Sequence, residues 1–300
     1  MIVLVLAGML TYTWAFAAEN IHIVSSRSNQ QFSETILAFK QAVLEQRNDI
    51  HFIETDLSNN DTQSSSVDLE FSKTELIFTL GSQATKLVLS KQQSAPVVSS
   101  LILSENLLSQ SSHATGIVMR YPMSVQLQWI KNVLPDVKRV GILYSPDKNS
   151  QLVAEAKLQA DKMALKIVAI AVDNPRNLPA ALDEMYRRSD VLMAIPDTAI
   201  YSGKTLKQVM LSSFRNRVPL VGLSRNWVKA GAIYAIEGDF KSIGVQSAEL
   251  AESIMRNKKM PEGGFYFPNA VNLIVNEKTM RHMRRDIDSH IIDSAAHVYR

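Results

Sequence analysis

The sequence predicts an α/β fold of two doubly wound lobes, and two observations carry that prediction. Short, almost wholly apolar runs of strand length alternate with amphipathic runs of helix length, the pattern of parallel sheets covered on both faces. The alternation occurs in two successive stretches of a 300-residue chain. That length is too great for one small core and suits two of roughly 120–150 residues each. With 46% hydrophobic and 20% charged residues, wholesale disorder and a multi-span membrane protein are excluded. The net charge of +3 is too small to argue for nucleic acid, which calls for a concentrated basic patch. The chain has no cysteine, which removes disulfides, thiolate metal sites, cysteine nucleophiles and an N-terminal lipid-modified cysteine.

Residues 1–18 carry no charge and end in Ala15-Phe16-Ala17-Ala18. An apolar run before an A-x-A site predicts a signal peptide cut near Ala17 or Ala18. The alternative is a retained membrane anchor, for which the stretch is barely long enough. No Lys or Arg precedes the apolar run, which is atypical of a signal or marks a start placed too far downstream.

The first stretch then reads in order. A strand over 21–24 runs into the Ser-rich loop 25–29. A helix over 32–46 places Phe32, Ile36, Phe39 and Val43 on one face at spacings of three and four. A strand over 50–54, a polar loop over 58–66 and a buried strand over 75–79 follow. Gly81-Ser82 turns that strand into a helix reaching Leu89, and 96–103 is a further strand.

The second stretch repeats the alternation. Helix 125–134 is ended by Pro135, and strand 140–144 is apolar throughout. Helix 149–163 has Asn149 or Ser150 as its cap. Strand 167–172, helix 178–187, strand 191–195, helix 204–214 and strand 219–223 come next. A helix over 244–255, a strand over 273–275 and a helix over 277–286 complete the pattern.

In open parallel sheets ligands bind beyond the carboxyl ends of the strands. That rule selects 25–29, Gly81-Ser82-Gln83, Ser145-Pro146-Asp147, Pro196-Asp197-Thr198, Ser224-Arg225-Asn226 and Gly238-Asp239. These short polar residues can exchange hydrogen bonds with a small ligand, and those preceding helices expose free N–H groups. Asp197 and Asp239 suit a ligand ammonium or hydroxyl, and equally suit a helix cap or turn. Arg281, Arg284 and Arg285 form either a solvated helix face or a docking surface.

Catalytic signatures are missing. No G-x-G-x-x-G or G-x-x-x-x-G-K-[ST] occurs, and the six His residues show no metal-binding spacing. Gly222-Leu223-Ser224-Arg225-Asn226 is one Gly short of a nucleophile elbow. Ser224 therefore reads as a helix cap or a ligand contact. His22, within a strand, reads as a structural residue.

Several segments share an order and spacing with a known family: ATGI at 114–117, LPDVKRVGILYSP at 134–146, IPD at 195–197, VPLVG at 218–222, VKAGA at 228–232, and GDF at 238–240 leading to Ile243-Gly244. On these the chain resembles the substrate-binding proteins of ABC transporters, of the tryptophan/tyrosine-type periplasmic group, over nearly the whole chain after the leader. The resemblance implies the type I periplasmic-binding fold, with two Rossmann-like lobes and a three-crossover hinge that closes on ligand. The N-terminal lobe would comprise 19–119 with about 236–258, and the C-terminal lobe 120–235 with about 259–300. Carried over by position, ligand contacts fall at Ser26, Phe32, Ser82, Gln83, Asp197, Thr198 and Asp239. Family members that bind amino acids hold the carboxylate with hydroxyls and N–H groups and the ammonium with an Asp; Ser82 and Asp239 fit those roles. The segment 99–113 is poorer in Pro and Gly than similar proteins are there.

Ser145 and Ser224 join the candidate set from their strand ends. Arg27 could bind a ligand carboxylate or face water, and Trp227 could stack on an aromatic ligand or pack at the hinge. The expected protein is a non-enzymatic, cofactor-free periplasmic monomer, not a lipoprotein. Its partners are a small polar, aromatic or amino-acid-like ligand and an inner-membrane ABC permease. The alternative is a ligand-sensing module for a membrane receptor kinase. A hydrolase lacks its motifs here, and a DNA-binding regulator lacks its N-terminal helix-turn-helix.

Overall fold

A computed structural model of the protein describes residues 19–58, 69–91 and 94–300. The leader expected over 1–18 and most of the loop expected over 58–66 lie outside the described residues. Two units emerge: one runs up to Val118 and resumes at Gly244–Tyr266, the other comprises Met119–Ile243 and Phe267–Arg300. The chain therefore passes between units three times, after Val118, Ile243 and Tyr266.

The first unit begins with β1 (Glu19–Ser25), α1 (Gln30–Leu44), β2 (Ile50–Asp56), β3 (Thr74–Leu80) and α2 (Ser82–Ser90). It continues through β4 (Val97–Ile102), α3 (Asn106–Ser109) and β5 (Ala114–Val118). Its five strands are ordered β2-β1-β3-β4-β5, and every pairing is parallel. The apolar β1 and β3 bury their last five residues, whereas the edge strand β2 leaves His51, Ile53 and Glu54 exposed. Phe39 of α1 stacks on Phe78 of β3 with ring centroids 4.0 Å apart, anchoring the helix to the sheet.

The second unit contains α4 (Met123–Val133), β6 (Arg139–Tyr144), α5 (Pro146–Asp161), β7 (Lys166–Ala171) and α6 (Leu178–Arg188). Next come β8 (Val191–Met193), α7 (Leu206–Asn216), β9 (Leu220–Val221), α8 (Arg225–Ala230) and β10 (Tyr234–Gly238). Helix α9 (Phe240–Asn257) carries the chain back into the first unit. There Gly244 lies so close to α1 that a Cβ would sit 2.4 Å from the Thr35 carbonyl oxygen. The chain ends with β11 (Val271–Asn276), α10 (Glu277–His282), α11 (Ser289–Ser294) and β12 (His297–Tyr299) in the second unit.

That unit's sheet is ordered β12-β11-β10-β9-β8-β6-β7. It is not parallel throughout, as the apolar runs suggested: β10 and β11 pair antiparallel. After β10 the chain leaves through α9 and re-enters running the opposite way, so β11 lies beside β10 in reverse. The same pairing explains why the returning segment is 244–266 rather than 236–258. Residues 234–238 are held in the second sheet by β11. Tyr266 is held in the first unit, its N–H donating to the Gly116 carbonyl at 2.8 Å and its carbonyl accepting from Val118 at 2.9 Å.

Helix α5 starts three residues before its expected cap. Pro146 occupies the first turn, where its missing N–H costs nothing, and Ser145 is the cap residue in extended conformation. Asn149, expected as the cap, serves another purpose described below.

His22 is buried in β1, its Nε2 2.9 Å from Thr55 Oγ1 and its ring edge-on to Phe71 at 5.1 Å. Burial lowers its pKa, so folding favours the neutral ring. The unfolded chain accepts a proton near pH 6.5 that the folded chain resists. Stability is therefore lost as pH falls below that value. Hydrogen exchange of the β1 amides is expected to quicken from about pH 7 to pH 5, after correction for the intrinsic rate, and His22→Gln should flatten that dependence.

Candidate functional site

In the first unit the strands β1, β3 and β4 run parallel and deliver their last residues to one edge of the sheet. Ser26 follows β1; it is buried, and its Oγ accepts from the Ala84 N–H at 2.8 Å. It thus caps α2 from a neighbouring strand, because the helix's own cap residue is Gly81, which has no side chain. Gly81 adopts φ +83°, and a Cβ there would come within 2.7 Å of Ser26 Oγ and 3.2 Å of the Phe32 ring. A side chain at 81 is therefore excluded both by conformation and by space. Phe32 is buried in the first turn of α1, its N–H held by the Asn29 side chain at 3.1 Å.

Below this edge lies a set of buried hydroxyls. Thr79 Oγ1 is 3.0 Å from Thr85 Oγ1 and 2.7 Å from Ser99 Oγ, and Thr85 Oγ1 donates to the Gly81 carbonyl at 3.0 Å. These bonds fix the turn from which Ser82 and Gln83 project. In the first turn of α2, Ala84 N–H goes to Ser26 and Thr85 N–H to the Gly81 carbonyl. The N–H groups of Ser82 and Gln83, in the first turn, have no acceptor among the described residues and are available to an external one. Ser82 is half-buried, and Gln83 and Arg27 are exposed. Sequence reading picked out Ser26, Phe32, Ser82 and Gln83 but passed over Thr79, Thr85 and Ser99. Their only signal is a hydroxyl residue at the end of an apolar strand or the start of the helix after it.

In the second unit β6, β8, β9 and β10 are mutually parallel and end on a common edge. Asp197 and Ser145 meet there, both buried. Asp197 Oδ2 accepts from Ser145 N–H at 2.8 Å and Asn149 Nδ2 at 2.9 Å. Its Oδ1 accepts from Ser145 Oγ at 3.1 Å, Ala199 N–H at 3.0 Å and Ile200 N–H at 3.3 Å. Burial alone would raise the carboxyl's pKa; the bonds from Ser145, Asn149 and Ala199 outweigh it and hold the group below its ordinary value. Asp197 and Ser145 thus lock the ends of β6 and β8 to the start of α5, while Thr198 beside them is exposed.

Ser224 caps α8 in extended conformation with no side-chain capping bond, and it is half-buried. Trp227, also half-buried, lies edge-on to Tyr201 at 5.5 Å. A Cβ at Gly222 would meet the Trp227 Cβ at 2.7 Å. Asp239 is half-buried at the end of β10; its Oδ1 accepts from Ser242 N–H at 3.0 Å and its carbonyl from Ile243 N–H at 2.9 Å. It therefore caps α9, and among the described residues Oδ2 has no hydrogen-bond partner. Next to it Tyr121, absent from the sequence reading, donates its hydroxyl to the carbonyls of Glu237 and Ala270, each at 3.1 Å. Burial first, then the Asp239 and Glu237 carboxylates, push the phenol's pKa well up. Among the described residues no group of three or more His, Cys, Asp or Glu side chains could hold a metal ion.

Comparison with known proteins gives the family and the fold. The family model for ABC transporter substrate-binding proteins matches residues 22–299, and the chain belongs to that family. The tyrosine-binding protein of Clostridioides difficile (strain R20291) is 20% identical over 229 residues, 73% of this chain. The match spans about two thirds of that relative's length, 66%. The ligand-free, open structure of a substrate-binding protein with adhesive properties from Clostridium difficile superposes with a TM-score of 0.74 at 17% identity. It covers 93% of this chain and 99% of that one. An ABC domain from Streptococcus pneumonia in complex with L-Trp superposes with a TM-score of 0.58 at 18% identity, again over 93% and 99%. The fold is that of the type I periplasmic binding proteins, with two α/β lobes.

Proposed function

We propose that this chain is the solute-binding component of an ABC importer, with the two lobes closing on a small ligand of aromatic or amino-acid-like character. The observation that carries the proposal is that each unit ends its parallel strands in a rigid frame with uncommitted polar groups at the edge. In the first unit these are the Ser82 hydroxyl, the N–H groups of Ser82 and Gln83, and the Arg27 guanidinium; they suit a carboxylate. In the second they are the Thr198 and Ser224 hydroxyls, Asp239 Oδ2 for an ammonium, and the Trp227 ring for stacking. Ser26, Phe32, Ser145 and Asp197 hold the frame. The tyrosine-binding relative and the L-Trp complex support an aromatic amino acid as the ligand class. Family membership supports a non-enzymatic, ligand-binding role alongside an ABC permease; in that proposed role the chain is a periplasmic monomer.

Titration calorimetry of the protein against L-tyrosine, L-tryptophan, 4-hydroxybenzoate and ribose tests the reading. Saturable heat with the aromatic amino acids is expected; a folded protein that takes up none of the four contradicts it. Asp239→Asn preserves the helix cap, since Asn caps as well as Asp. It should nevertheless weaken amino-acid binding about 10- to 100-fold, the loss of one hydrogen bond to a charged group. Hydroxybenzoate, which has no ammonium, should be unaffected.

A further inference from the structure

A cavity of about 660 Å³ opens at the amino ends of β6 and β7, the opposite end of the sheet from Ser145 and Asp197. Lys138, Arg139, Lys166 and Arg285 line it, together with Asp136 and Asp190. Asp190 is already committed. Its Oδ1 accepts from Arg139 Nε at 3.1 Å and Nη2 at 2.6 Å, and its Oδ2 from the N–H groups of Lys138 and Arg139 at 3.1 and 2.8 Å. That pairing cancels the charge of Arg139. Lys138, Lys166 and Arg285 have no carboxylate within ion-pair distance among the described residues. With Asp190 committed to Arg139, three cations not ion-paired among the described residues thus outnumber the remaining carboxylate, Asp136.

These cations come from three separate segments, and the backbone sets them side by side. Lys166 N–H donates to the Lys138 carbonyl at 2.8 Å, placing the starts of β6 and β7 together. The Arg cluster that the sequence singled out is divided: Arg281 pairs with Glu277 within α10. Arg284 takes φ +54° in the turn after the helix, and Arg285, anchored by its N–H to the Met280 carbonyl at 3.0 Å, lines the cavity. A concave wall with an excess of one charge, here four cations to two carboxylates, raises the local concentration of counter-ions.

We propose that this cavity is an anion site that takes a phosphate-bearing group, independent of the solute site at the carboxyl ends. A guanidinium fork matches phosphate oxygens and the two lysines add point charges. The volume falls in the range of small-ligand pockets, roughly 300–1,000 Å³, and leaves room for the group that carries the phosphate. That group is either a soluble phosphate or the headgroup of an anionic lipid.

The test uses the full chain and two probes. Inorganic pyrophosphate is titrated into ¹⁵N-labelled protein, and vesicles of phosphatidylglycerol mixed with phosphatidylcholine are compared with phosphatidylcholine alone in co-sedimentation. Saturable amide shifts at Lys138, Lys166 and Arg285 are expected, with affinity falling at least tenfold in the K138Q/K166Q/R285Q variant. Pyrophosphate binding without vesicle binding assigns a soluble phosphate; vesicle binding lost in the variant assigns a lipid headgroup. Should the triple variant fold poorly, K138Q/K166Q, with both side chains exposed, reads the same loss. No saturable binding of either probe, or binding unchanged by the substitutions, overturns the proposal.

Discussion

Replacing Asp197 by Ala is expected to destabilise the second unit by about 2–4 kcal/mol, the cost of leaving several buried neutral donors without their acceptor. Five donors converge on that carboxylate, three of them backbone N–H groups that cannot turn to water. Each donor left unsatisfied costs roughly 1–3 kcal/mol, and local relaxation recovers part of the sum. Trp129 and Trp227, the tryptophans among the described residues, both lie in this unit, so tryptophan fluorescence in denaturant reads the effect directly. The pH dependence has a definite sign. A carboxyl held below its unfolded value of about 3.9 stabilises the folded state above that pH, and the contribution fades as pH falls through the folded value. Asp197→Asn should therefore lower stability at neutral pH and lessen its loss on acidification. An Asp197→Ala protein as stable as the parent would mean the hydrogen bonds at this strand end carry little of the unit's stability.

Gly116→Ala is expected to have a comparable effect on the first unit. A Cβ at this position would lie 2.0 Å from the Ser99 carbonyl oxygen, 2.7 Å from its carbon and 2.8 Å from its nitrogen. These are backbone atoms of the neighbouring strand and cannot swing aside. Strand β5 must then move off β4, at a cost at or above the upper end of the usual 1–3 kcal/mol for overpacking. Ser99 also belongs to the hydroxyl set that fixes Gly81, so the displacement should reach the Ser82 and Gln83 turn and weaken ligand binding. Faster hydrogen exchange over 114–118, with unchanged tryptophan fluorescence in the other unit, is the expected signature. Gly203→Ala, where a Cβ meets nothing within 4 Å, serves as the neutral control.

How much of this was legible in the sequence depended on whether the signal was local. Long apolar strands and periodic helices were readable because their pattern repeats within ten residues. Strands β8 and β9 were legible as the apolar runs 191–195 and 219–223, of which only 191–193 and 220–221 form strand, whereas β12, three residues long, is too short to show any period. Strand β10 was invisible as a pairing partner because its neighbour β11 follows only after α9 has left the unit and the chain has returned. The polar strand ends were legible from the rule that ligands bind beyond carboxyl ends. The division of labour among them was not. Asp197 read equally as ligand partner or turn former, since its donors Ser145 and Asn149 lie 52 and 48 positions away. Tyr121 carried no signal, its acceptors being 116 and 149 positions distant. Asp239 kept both readings, with one oxygen on the helix cap and the other without a hydrogen bond among the described residues.

The central claim is that a small solute engages strand-end groups from both units. Amide chemical-shift mapping with saturating L-tyrosine or L-tryptophan tests it most directly. The account predicts concentrated shifts at Arg27, Ser82 and Gln83 in the first unit and at Thr198, Ser224, Trp227 and Asp239 in the second. Shifts confined to one unit, or gathered away from both strand-end sets, would contradict it.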